Sequence, residues 1–206
     1  MIPKINFVWS FIYQEEIHLV KDLEYDRLKS ESRVSNFIKE VETEGGSVGK
    51  KTLYYMEEIT GLKWKKPEIN CYVLDISLFG PISDPLTIPI SLWDGDQVHS
   101  LSVNRFVDML IHELIHNLFI QNESKSLDKF FVYLINKYKN ENVAIHVPVH
   151  AIHKEIFLKI FGVNRLKEEI KMCDYYPEYK ESWEIVNKDG SNNIINLMKE
   201  AAGLNE

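Results

Sequence analysis

The chain has 206 residues, of which 45% are hydrophobic, 12% are aromatic and 27% are charged. This composition excludes a disordered or fibrous protein, because it supplies enough apolar surface for a core. The formal net charge of −7 at pH 7 gives no long-range attraction to phosphate backbones or anionic lipid, which argues against nucleic-acid and membrane-surface partners.

The sequence favours a cytoplasmic protein. No apolar run approaches the roughly 18 residues needed to cross a bilayer, and the segment Met1–Tyr13 carries one lysine and no small-residue cleavage site, unlike a secretory signal. Cys71 and Cys173 are far apart and form no CxxC motif. They suit a reducing compartment better than a disulfide-linked fold, and we expect both to be small buried hydrophobic residues.

The first third of the chain, residues 1–66, is predicted to be mostly helical. Residues 5–12 are a short apolar run that suits a strand or the start of a helix, and apolar residues recur at helical spacing over residues 14–42. The glycine-rich segment 44–49 interrupts this pattern. A further helix is predicted over Lys51–Ile59.

The middle of the chain changes to β-type patterns. Ile69–Ile76 and Leu86–Leu92 are rich in β-branched residues, which favours strands. Pro85 and Pro89 suit an edge position for the second strand, because proline cannot donate to a sheet ladder. Trp93–Asp96 is predicted to be a turn.

From residue 103 onward the apolar spacing is helical. Five helices are predicted, over residues 103–121, 127–139, 148–161, 163–173 and 191–201. An order of helices, then strands, then helices predicts one α+β domain over residues 1–206, in which a small mixed or antiparallel sheet with an edge strand packs on a mostly helical body. Within it, residues 67–162 hold the strands and metal-binding helices, and residues 163–206 are helical.

His112-Glu113-Leu114-Ile115-His116 carries the strongest functional signal. Helix positions i and i+4 lie about 40° apart around the axis and roughly 6 Å apart along it, so His112 and His116 can grip one ion. Glu113 is rotated by about 100° and suits a water on that ion. The surrounding residues are apolar on nearly all sides, which predicts a buried helix, and burying these polar groups without a metal would be costly. The alternative is a pair of histidines hydrogen-bonded in an ordinary core.

A zinc site needs a third protein ligand, and a catalytic one keeps a position open for water. Pro148 suits the first turn of a helix. On a helical wheel started there, His150 and His153 border the apolar stripe, whereas Glu155 falls on the solvent side. We therefore expect His112, His116 and His150 to bind Zn²⁺, and His153, His146 and Glu155 remain alternatives for the third position. Asp108, one turn before His112, is expected to be solvated at the surface rather than to orient a ligand.

These residues resemble the zincin clan of zinc metallopeptidases, in which an HExxH motif on the active-site helix binds zinc. His112, Glu113 and His116 match the motif in full. Phe119 and Asn122 stand where the metzincin branch has a glycine and a third histidine, so the resemblance is to a small, minimal zincin and not to a metzincin.

The resemblance implies a zincin-like fold and hydrolysis of peptides or partly unfolded proteins. It implies that zinc activates a water, that Glu113 is the catalytic general base, and that an edge strand, Leu86–Leu92 or Ile69–Ile76, pairs with extended substrate. The oxyanion donor stays open among His146, His153, Tyr175, Tyr176 and Tyr179. Two alternative functions are a non-catalytic binding module stabilised by zinc and a zinc hydrolase with a non-peptide substrate.

Overall fold

The structure is a computed structural model that describes residues 1–21, 26–44, 49–94 and 97–204. It is 66% helical, with a small mixed sheet of four strands and a separate two-stranded sheet. The prediction of an α+β fold with a small mixed sheet is therefore confirmed.

The four-stranded sheet has the order β1-β2-β4-β3. Its strands are β1 (Lys4–Trp9), β2 (Glu68–Leu74), β3 (Ile82–Ser83) and β4 (Leu86–Pro89). β1, β2 and β4 run parallel, and β3 returns antiparallel to β4. The separate antiparallel pair consists of β5 (Ser91–Asp94) and β6 (Gln97–Ser100).

The edges of the four-stranded sheet are β1 and β3. The prediction that Leu86–Leu92 forms an edge strand is therefore wrong, and Ile69–Ile76 is not an edge strand either, since β2 lies between β1 and β4. Pro89 is tolerated beside β2 because it is the last residue of β4, where little of the ladder remains to be interrupted. Ile90 lies between β4 and β5, and Ser91 and Leu92 belong to β5.

The described residues form nine α-helices. They are α1 (Phe11–Lys21), α2 (Arg27–Glu44), α3 (Lys50–Thr60), α4 (Val103–Gln121), α5 (Lys125–Tyr138), α6 (Glu141–Ile156), α7 (Val163–Cys173), α8 (Pro177–Asp189) and α9 (Ser191–Ala202), and a π-helical turn, Phe157–Phe161, follows α6. The predicted helix over 14–42 corresponds to α1 and α2. Residues 22–25, most of the predicted break at 44–49, and the last half of the predicted turn at 93–96 lie outside the described residues.

α6 begins seven residues earlier than the sequence pattern predicts. Asn140 caps it, since its side-chain oxygen accepts a hydrogen bond from the backbone N–H of Val143 at 3.2 Å. Pro148 consequently lies inside the helix and removes one backbone hydrogen bond. Most side chains of α6 are buried, and this burial outweighs the local cost of the proline.

The chain divides into two compact units. One consists of Met1–Ile2, Lys50–Lys65 and Leu118–Glu206, and in it α6 packs against α3, α5, α8 and α9. The other consists of Pro3–Gly49 and Lys66–Asn117, and it holds the sheet strands. In this second unit Phe106 of α4 contacts Phe7 of β1 and Phe37 of α2, with ring centres 6.1 and 5.3 Å apart.

The cysteines behave as predicted. Cys71 and Cys173 are both buried, and neither is in a disulfide among the described residues. Burial raises the pKa of the Cys71 thiol, which keeps it protonated and unreactive. Within the described part of the chain, no helix combines the length and apolarity needed to span a bilayer.

Candidate metal centre

α4 is buried on nearly all sides, as its sequence predicts. His112 and Glu113 are each only 6% exposed among fully buried leucines and isoleucines. The helix begins where Ser102 accepts a hydrogen bond from the backbone N–H of Arg105 at 3.2 Å. Asp108 is 7% exposed, so the prediction that it is solvated at the surface is wrong: it lies on the same buried helix as the histidines.

His112 and His116 point their Nε2 atoms at each other, 3.2 Å apart. Their ring centres are 4.9 Å apart and the ring planes are tilted by 58°. Two nitrogens bound tetrahedrally to one zinc ion at 2.0–2.1 Å would be separated by about 3.3 Å. The two imidazoles therefore have the spacing of a shared ion. Without an ion, the same spacing requires one ring to donate and the other to accept a hydrogen bond.

His146 of α6 completes a group of three. One ligand nitrogen from each of His112, His116 and His146 lies within 4.8 Å of the other two. The Nδ1 of His146 is 2.6 Å from the backbone carbonyl oxygen of Asn142. A carbonyl only accepts, so Nδ1 carries the proton and Nε2 keeps its lone pair, which is the tautomer of a metal-binding histidine.

The charge state of His146 also suits a ligand. Burial lowers the pKa of this imidazole, and the contacts with the Asn142 carbonyl and with Glu178 only oppose the shift. A neutral imidazole is the form that binds a metal ion, whereas the imidazolium has no lone pair to offer.

The group that could hold a metal ion contains His146 and not the predicted His150. The Nδ1 of His150 is 2.7 Å from the hydroxyl oxygen of Ser182, which donates to the Tyr179 carbonyl and so accepts from His150. The His150 ring also stacks on Trp183 at 4.5 Å between ring centres. The difference arises because α6 begins at Glu141, so its second turn already presents His146.

The other two alternatives have different surroundings. His153 is fully buried, and its ring packs edge-on against Phe157 with ring centres 4.3 Å apart. Glu155 is half-buried and accepts a hydrogen bond from the Ser191 hydroxyl. Both residues therefore stabilise helix packing in the unit that contains α6 and α9.

Glu113 is a buried carboxylate whose pKa is raised to about 7 by loss of solvent. The Ser83 hydroxyl donates a hydrogen bond to it, which partly opposes the shift. Asn117, one turn further along α4, donates from Nδ2 to the Ser83 carbonyl at 2.8 Å. Ser83 of β3 is thus held at two points by α4.

Sequence reasoning missed both Ser83 and Asn117. Ser83 precedes Asp84-Pro85, residue types that usually mark only a turn. The available signal was the i, i+4 spacing of Glu113 and Asn117, which places both side chains on one stripe of α4.

The three histidines form a group that could hold a metal ion. Neutral imidazoles suit zinc, copper, iron and nickel, and do not suit magnesium or calcium, which prefer oxygen ligands. Three imidazole ligands therefore favour a transition metal over magnesium or calcium, but they do not distinguish zinc from copper, iron or nickel.

Comparison with protein-family models, with curated proteins and with solved structures finds no match for this chain. A function for this chain is therefore inferred from the chemistry of its own residues. The residues that matter most are the three histidines of the group, the Glu113 carboxylate with its raised pKa, and Ser83 and Asn117, which hold that carboxylate in place.

Alanine substitutions should separate His146 from His150. We expect the native protein to bind one Zn²⁺ or Co²⁺ per chain. His146→Ala should lower the metal affinity by roughly a hundredfold or more, because it removes a ligand. His150→Ala should keep near-native affinity, because His150 is not a ligand. Isothermal titration with each metal measures this. His99→Ala, at an exposed position of β6, is the matched control. Loss of binding in His150→Ala with retention in His146→Ala would contradict the assignment.

The raised pKa of Glu113 predicts a pH-dependent stability of the metal-free protein. Between the unfolded pKa of 4.5 and the folded pKa of about 7, the folded state holds the proton more tightly, so stability falls as pH rises through this window. Across this pH window, the free energy of unfolding of the native protein should fall by on the order of 3 kcal/mol more than that of Glu113→Gln. Urea unfolding at several pH values measures the difference. Parallel stability curves for the two proteins would show that Glu113 titrates normally.

Proposed function

We propose that this protein is a zinc-dependent metallopeptidase of the zincin type, which cuts peptides or partly unfolded proteins. The observation that carries the proposal is the buried HExxH helix. On it, two imidazole nitrogens lie 3.2 Å apart, and Glu113, which follows His112 in the sequence, has a pKa of about 7. Structural zinc sites do not require a neighbouring buried base, whereas hydrolytic sites do.

His112, His116 and His146 would hold the zinc ion. Three protein ligands leave the fourth tetrahedral position for water, as in catalytic zinc sites. When bound there, zinc supplies a Lewis acid that lowers the pKa of that water and polarises the scissile carbonyl. The Asn142 carbonyl keeps the His146 ring in the required tautomer and orientation.

Glu113 would act as the general base and then as the general acid. Its carboxylate accepts a proton from the attacking water as the new C–O bond forms, and it delivers that proton to the departing amine nitrogen as the C–N bond breaks. A pKa of about 7 suits both transfers near neutral pH. The Ser83 hydroxyl, itself fixed through Asn117, orients the carboxylate.

β3 is the strand best placed to receive an extended peptide. It is an edge strand of the four-stranded sheet, and its Ser83 contacts both Glu113 and Asn117. A peptide that hydrogen-bonds to the outer edge of β3 would therefore run close to the base. This role replaces the one that the sequence suggested for Leu86–Leu92 or Ile69–Ile76.

Glu113→Gln tests the proposal most simply, because the amide cannot accept the water proton. We expect hydrolysis of an unfolded, fluorescently labelled protein to fall by roughly a hundredfold or more, with the zinc content unchanged. Glu123→Gln, at an exposed position just after α4, should cleave like the native protein. Zinc binding without any Glu113-dependent cleavage would favour the non-catalytic module, and Glu113-dependent cleavage of esters or other non-peptide substrates alone would favour a different hydrolase.

A further inference from the structure

Three tyrosine rings form a row from solvent to the candidate metal ligand His146. Tyr175 contacts Tyr176 and Tyr176 contacts Tyr179, each with ring centres 5.5 Å apart. Tyr179 in turn lies against His146 with ring centres 4.2 Å apart. All four residues belong to one compact unit. We call Tyr175, Tyr176 and Tyr179 the tyrosine row.

The outer rings of the tyrosine row are exposed to solvent and are not part of the hydrophobic core. Tyr175 is 76% exposed and Tyr176 is 51% exposed, and the neighbouring Met172 is 55% exposed. Large apolar side chains that cluster at the surface commonly mark a binding site. Because Tyr176 contacts Tyr179, and Tyr179 contacts the candidate metal ligand His146, substrate is the natural occupant of this surface.

The backbone presents these rings on a tight turn. α7 ends at Cys173 and α8 begins at Pro177, whose fixed φ suits the first helical position. Between them the N–H of Tyr176 donates to the Cys173 carbonyl at 3.0 Å. Tyrosines held in this way lose little side-chain and backbone freedom when a ligand binds, so the entropic cost of binding is small.

We propose, as an extension of the peptidase function above, that the tyrosine row binds an aromatic side chain of the peptide substrate. Aromatic rings pack edge to face or offset on one another, and this contact gives more binding free energy than the buried area alone would give. Tyr176 is two ring contacts from His146, and an extended peptide advances about 3.3 Å per residue. The recognised side chain therefore lies within about three residues of the scissile bond.

The charges beside the row are balanced, so they give no preference for an acidic side chain. Asp174 precedes Tyr175, and Glu178 follows Pro177. Lys171 and Lys180 lie on the two helices that flank the turn. A basic substrate side chain over the tyrosine faces is the competing possibility, and the experiment below separates it from an aromatic one.

The test compares matched fluorogenic peptides that carry Phe, Arg, Asp or Ala at each of three positions on either side of the cleavage site. The native protein should show the highest kcat/KM with Phe at one position, and Tyr176→Ala should lower that value about tenfold while changing the Asp and Ala peptides less than twofold. Tyr54→Ala, which removes another exposed tyrosine (58% exposed), should change none of them. An Arg preference, or an equal loss on all peptides, would overturn the proposal.

A second arm keeps this inference separable from the peptidase proposal. Zinc-loaded Glu113→Gln is titrated with the Phe and Asp peptides, with and without Tyr176→Ala. Phe-selective binding that depends on Tyr176, in a protein that hydrolyses nothing in its native form, would support the tyrosine row and refute the peptidase. Hydrolysis that ignores Tyr176, with no Phe-selective binding, would support the peptidase and refute the tyrosine row.

Discussion

The cost of burying ionisable side chains in an apolar helix is the constraint on which the rest of this structure depends. His112 and Glu113 are almost fully buried, and each would lose several favourable contacts with water unless the protein replaced them. The His112 imidazole faces a second imidazole, that of His116, one helical turn away, and the Glu113 carboxylate accepts a hydrogen bond from the Ser83 hydroxyl. The third histidine of the group, His146, donates its Nδ1 proton to a backbone carbonyl. Together they leave three histidines that could hold a metal ion and a carboxyl group whose pKa is raised to about 7.

The two histidines of α6 show how surroundings assign different roles to equivalent side chains. His146 and His150 are one turn apart, and both direct Nδ1 to an oxygen acceptor, the Asn142 carbonyl for one and the Ser182 hydroxyl for the other. His146 is grouped with His112 and His116, whereas His150 is stacked on Trp183 within the helical unit. The same tautomer therefore serves as a candidate ligand in one case and as a packing element in the other.

The sequence predicted the features that depend on local spacing. The pairing of His112 with His116 follows from one helical turn, and the burial of α4 follows from its apolar residues on all sides. The third ligand was not predictable in this way, because the start of α6 was read from Pro148, although burial holds that proline inside the helix. α8 was not predicted, because most of its residues are polar. The edge strand depends on which strands pair across the sheet, and no local pattern encodes that order.

Anomalous diffraction at the zinc edge, from crystals grown with Zn²⁺, tests the central claim most directly because it locates the ion and its ligands together. We predict one strong peak per chain, about 2.0–2.1 Å from a ring nitrogen of each of His112, His116 and His146, with the remaining position open toward Glu113. A map with no peak at this position, and with the His112 and His116 rings joined only by a hydrogen bond, would contradict this prediction.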